Sequence, residues 1–170
     1  MTPPGVVLTL MRVAAIGAIA GGILVACGEP DSAMPEPVPC PAASPTPQSA
    51  FGRRDPLGAF RLTVNQNVIR IEKLTSDFRQ QYPNGRFYRG SFRPDFGHYI
   101  DETICIALGM HELPLPAGLA TTQTAFDSAL DGFIEHQRAG REAVRSRNVS
   151  GYKDWNRGVD VQVEALRGAP

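Results

Sequence analysis

Beyond position 54, hydrophobic residues recur every three or four places, the period of a helix with one buried face. Leu57, Phe60, Val64, Ile71, Leu74 and Phe78 follow Asp55-Pro56, an N-cap with proline at the first helical position. Pro83 and the Asn84-Gly85 turn close the run, so a helix is predicted over about 56–81. Arg93-Pro94-Asp95 opens a second helix, with Phe96, Tyr99, Ile100, Thr103, Ile104, Ala107 and Leu108 on one face and an end near His111. A third is expected from near Pro116 to Asn148, turning Leu119, Phe126, Leu130, Phe133, Ile134 and Val144 inward. Ser150 caps a fourth, striped by Tyr152, Trp155, Val159, Val163 and Leu166. Val159 to Val163 also alternates apolar and polar residues, so a strand competes there with the helical stripe. Four amphipathic helices with mostly short connections predict an all-α fold, a small up-down four-helix bundle over 55–170. Glycines 118, 132, 140 and 158 fall inside these helices, each costing about 1 kcal/mol against Ala, and either permit close helix packing or weaken the third helix.

A different pattern precedes the bundle. Val13 to Ala26 is a run of 14 uncharged residues behind Arg12, ending in small residues before Cys27, the layout of a secretory signal. A spanning helix needs about 20 apolar residues and would have to recruit Val6 to Leu10 across Arg12. Leu24-Val25-Ala26-Cys27 resembles the lipobox of bacterial lipoproteins. The resemblance implies that residues 1–26 are a removed signal peptide, that Cys27 carries diacylglycerol and becomes the mature N-terminus, and that the protein is held at a cell membrane on its extracytoplasmic face. Such an anchor, palmitate-type chains on one residue, is effectively permanent without a transmembrane helix. Gly28 takes the place where inner-membrane lipoproteins tend to carry Asp, which favours an outer membrane where the cell has one. Met11-Arg12 directly precedes the apolar core and makes a more ordinary start than Met1.

Residues 27–54 then read as the lipidated cysteine and a linker. Prolines at 30, 35, 37, 39, 41, 45 and 47, with Ser, Ala and Thr between them, cannot bury a core and favour polyproline II. A disordered proline-rich tether of this length holds a domain roughly 60 to 80 Å from the bilayer at about 3.1 Å per residue. Since the first helix starts at the tether, the far end of that helix is expected to point away from the membrane.

Charge adds little at first sight. Seventeen basic residues balance seventeen acidic ones, so the whole-chain field points to no nucleic-acid or membrane-surface partner. Once Cys27 is lipidated, Cys40 and Cys105 remain, in a compartment that permits disulfides. A bridge between them would staple the tether to the domain and stabilise by about 4 kcal/mol on the chain-entropy model; two free thiols are the alternative.

Arg86-Phe87-Tyr88-Arg89-Gly90-Ser91-Phe92-Arg93 interleaves three arginines with three aromatics and no acid, a mixture that stacks on rings or sugars and pairs with anions. In an up-down bundle Arg141, Arg145 and Arg147 join that end. Arg86, Phe87, Tyr88, Arg89, Phe92 and Arg93 are thus the candidate ligand residues, for an anionic or carbohydrate envelope polymer or an envelope protein. The plain alternative is aromatics plugging the bundle end, with arginines where helix C-termini favour them. His98 and Glu102 share a helix face, and Glu135-His136 lies on the third helix, but no Glu-x-x-His pair of a di-metal bundle occurs. No metal or other cofactor is expected, and no nucleophile motif or phosphate loop is present. Asp101-Glu102 reads as a solvated face, and Trp155 as core. The sequence therefore predicts a non-catalytic binding or scaffolding module of the cell envelope. The alternatives are an enzyme or metal-binding accessory with a site formed in the bundle, and a ligand-free structural spacer.

Overall fold

The structure, a computed structural model, describes residues 33–41, 55–83, 90–116 and 119–169. Four helices follow one another, α1 (Pro56–Gln81), α2 (Phe92–His111), α3 (Ala120–Arg145) and α4 (Val149–Gly168). Their starts have local causes. The Asp55 carboxylate accepts the Gly58 N–H at 2.8 Å beside the proline of the first turn of α1. The Asn148 side chain accepts the Gly151 N–H at 3.0 Å and caps α4. Asn148, two residues before the expected cap at Ser150, takes that role because α3 ends there in a Schellman turn. The Asn148 N–H returns to the Ala143 carbonyl and the Arg147 N–H to Val144, with Arg147 in the left-handed region at φ 57°.

Each helix packs on its neighbours in chain order, and α4 closes the ring against α1. Thr75 meets Tyr99 between α1 and α2, Arg141 meets Asp101 between α3 and α2, and Gln137 meets Trp155 between α3 and α4. Arg79 meets Asp160 between α1 and α4. These pairings make all four contacts antiparallel, an up-down four-helix bundle. Among the described residues no strand competes: Val159–Val163 is helical, with Val159 and Val163 buried and Val161 facing water. α3 begins at Ala120, later than Pro116 suggested: Leu115 and Pro116 have no regular secondary structure, and the Pro116 carbonyl accepts the Leu119 N–H at 3.2 Å ahead of the helix.

The core runs the length of the bundle. Phe60 meets Phe126 edge-on at 5.6 Å at one end. Ile71, Ile100, Leu130 and Phe133 fill the middle. A cluster of Phe78, Tyr82, Phe92, Phe96, Tyr152 and Trp155 fills the end where α1 stops and α2 starts. Gly140 lets α4 come close, since a Cβ there would sit 2.3 Å from Trp155 Cδ1. Its role is close packing rather than a weak point in α3.

Ala33–Pro41 departs from the spacer that its composition suggests. It has no regular secondary structure, yet it lies along the groove between α2 and α3 as a strap. Met34 packs on the core, and Cys40 is joined to Cys105 by a disulfide with a Cα–Cα distance of 5.3 Å.

Candidate functional site

Two neighbouring features carry the chemistry of this molecule, the strap with its clamp and the bundle end beside it. The clamp is built by α2 and α3. Gly97, Asp101 and Cys105 stand four residues apart on α2, so they line one face, one above the other. Gly97 supplies the room: a Cβ there would approach Pro35 Cδ and Cγ to 3.2 Å and Met34 Cγ to 3.3 Å. From α3, the Arg141 guanidinium donates to the Gly97 carbonyl at 3.2 Å, to the Asp101 carboxylate and to the Pro35 carbonyl. Asp101 Oδ2 in turn accepts the Val38 N–H at 3.3 Å. The two side chains keep only 12% and 11% of their exposure, so a charge pair that would be worth little in water is held nearly dry, with its hydrogen-bonding capacity taken up by strap backbone.

The clamp corrects two readings of the sequence. Asp101 is buried by the strap instead of lying on a solvated face, while Glu102 does face water and pairs with Arg70 at 2.7 Å. Arg141 is spent on the clamp and does not join a basic cap. No periodicity could have shown this, because the strap that buries both residues is proline-rich and polar. The spacing of Gly97, Asp101 and Cys105 was a faint signal.

At the bundle end, Tyr82 Oη lies 2.7 Å from Ser91 Oγ and donates to the Asp95 carboxylate, tying the last residue after α1 to the first turn of α2. Desolvation, with the Asp95 hydrogen bond next, raises the Tyr82 phenol above its usual range. Burial likewise raises Tyr99, although Thr75 bonds it at 3.0 Å, and pushes Tyr152 up to about 12. Phe92 is wholly enclosed, in contact with Phe78, Tyr82, Phe96 and Tyr152, so it plugs the core and presents no face to a ligand. Arg93 reaches back over the end to the Arg145 carbonyl at 3.3 Å. Arg86, Phe87, Tyr88 and Arg89 lie outside the described residues, as does Cys27.

The remaining candidates disperse. His98 is exposed, and Glu102 is taken by Arg70. His136 Nε2 is 2.9 Å from the Trp155 carbonyl, and His111 sits between Asp127 and Asp131 at 3.7 and 3.3 Å. Among the described residues no group of three or more His, Cys, Asp or Glu is placed to hold a metal ion, and no helix is long and apolar enough to cross a membrane. Across the bundle from the strap, the α1–α4 seam holds a surface groove of about 520 Å³ floored by Thr75 and Val163 and bridged by Arg79 and Asp160. No family model matches the chain, and no curated protein or solved structure matches it either.

Proposed function

We propose that the protein is an envelope lipoprotein, anchored through Cys27, whose helical bundle is a non-catalytic binding or scaffolding module. The observation that carries the reading is the Cys40–Cys105 disulfide, which joins a segment 65 residues upstream to α2. Bridges of this kind persist in oxidising compartments outside the cytoplasm, the side to which a lipobox signal delivers a chain. The composition of the core supports binding over catalysis. It is filled by apolar and aromatic side chains, and some of its few buried polar groups pair with one another, as in Thr75 with Tyr99 and Trp155 Nε1 donating to Gln137 at 3.0 Å. The binding surface is then on the outside, and the basic, aromatic run of the sequence that holds Arg86, Arg89 and Arg93 is best suited to an anionic envelope partner.

The test is expression of the full chain in a bacterial host fed an alkynyl palmitate. Label on the wild type, lost in Cys27→Ala together with membrane fractionation, is the expected result. A wild-type chain whose mass shows residues 1–26 retained and Cys27 bare would end the reading. Retention of the labelled protein on anionic envelope polymer, weakened by salt and by charge reversal at Arg86, Arg89 and Arg93, is expected for the binding role.

A further inference from the structure

We infer that the strap turns the basic end of the bundle, formed by the start of α2 and the α3–α4 turn, toward the bilayer that carries Cys27, where it docks on anionic lipid headgroups. The inference rests on the lipoprotein reading above, and it reverses the orientation that the sequence suggests for a helix beginning at its tether.

The strap sets the direction. Met34 and Pro35 lie against Gly97, the Val38 N–H reaches Asp101, and Cys40 is bonded to Cys105, so the strap runs parallel to α2. The chain therefore arrives at the end where α2 begins and is carried toward the end where α1 begins. Ala33 is six residues from Cys27. Six residues span at most about 20 Å, against the roughly 60 to 80 Å of a free spacer. From Gly97 to His111 the helix rises about 21 Å further, so the opposite end lies well beyond the anchor's immediate reach when the bundle stands upright.

Charge then selects the occupant. The near end carries Arg79, Arg93, Arg138, Arg145, Arg147 and Lys153 against Glu36 of the strap, Asp77, Asp95, Glu142 and Asp154, a slight basic excess. The opposite end carries Asp55, Glu112, Asp127, Asp131 and Glu164 against Arg61 and Arg167. A balanced whole-chain charge thus hides a bundle polarised along its axis. Its positive end lies on a leash short enough to keep it within a few Debye lengths of the surface, where anionic headgroups attract Lys and Arg.

Photoreactive p-benzoylphenylalanine at Ser146, on the near end, or at Glu112, on the far end, tests the orientation in full-length lipidated protein. The protein is reconstituted into phosphatidylglycerol–phosphatidylethanolamine vesicles. Several-fold more lipid adduct from position 146 than from 112 is expected, with the excess reduced in phosphatidylcholine vesicles and at high salt. Cys105→Ser frees the strap, lengthens the leash to Asp55 and lowers the ratio. Equal adduct from the two ends, or more from position 112, in wild-type protein with a diacylated Cys27 would overturn the orientation while leaving the lipoprotein reading intact. A bare Cys27 in the cell-derived product would remove both. Near-end crosslinks in whole cells that go to a polymer or protein, with none to lipid, would overturn the choice of headgroups.

Discussion

The two outer seams of the bundle, α2–α3 and α1–α4, lie across the core from each other and are closed by opposite means. On α2–α3 the chain lays its own proline-rich segment into the groove, welds it with Cys40–Cys105, and sinks the Arg141–Asp101 pair beneath it. On α1–α4 the helices are bridged by exposed ion pairs, Arg79 with Asp160 and Arg167 with Glu72, over an open groove. Charge pairs of the same type therefore differ in worth according to what covers them. Water screens the second set, whereas the strap removes most of the water from the first, so breaking that pair costs more. A segment too polar to build a core still controls the dielectric around two residues that face it.

That contrast can be broken at its strongest point by Cys105→Ala, which opens a loop of 65 residues in sequence and is expected to cost about 4 kcal/mol in chemical denaturation. A cost near zero would mean that the strap is not held in solution. Asp101→Ala comes next, at about 3 kcal/mol, because it leaves the Arg141 guanidinium buried without its carboxylate. The double variant Asp101→Ala/Arg141→Met should recover part of that loss in a double-mutant cycle, whereas simple additivity would argue that the pair is exposed.

Alkali probes the aromatic core between the seams. Tyr152 is pushed up to about 12 in the folded protein, above the ordinary 10, so the folded state binds its proton more tightly. Stability from this source is complete below pH 10 and is lost as pH rises through about 12, an outcome read by phenolate absorbance alongside circular dichroism. A phenolate titrating near 10 with the fold intact would place Tyr152 in water. The smallest effect belongs to the open seam. Asp160→Ala should cost only about 0.5 kcal/mol, since that carboxylate is 70% exposed, and a loss comparable to Asp101→Ala would erase the distinction between the seams.

What the sequence could express was local or periodic. Asp55-Pro56 marks the start of α1, the three- and four-residue spacing marks the buried faces of all four helices, and Trp155 sits in the core as its stripe implies. Positions that depend on contacts distant in sequence were hidden. Asp101 looks like any solvent-facing acid until the strap covers it, and Arg141, in a helix end rich in arginine, looks like one more surface cation. Phe92 reads as part of an Arg-aromatic loop, but it starts α2 and is pulled inward by the cluster around Phe78 and Tyr152. The route of Ala33–Pro41 was the least legible, because proline content reports what a segment cannot do alone and is silent on the groove that receives it.

The seating of the strap is the claim on which both the clamp and the orientation depend, and an NOE experiment on the oxidised protein reports it directly. Cross-peaks from the Pro35 ring protons to the Gly97 α protons are predicted, since a Cβ at Gly97 would stand 3.2 Å from the Pro35 ring carbons. Their absence, with Ala33–Pro41 at random-coil shifts while Cys40–Cys105 is intact, would contradict the account.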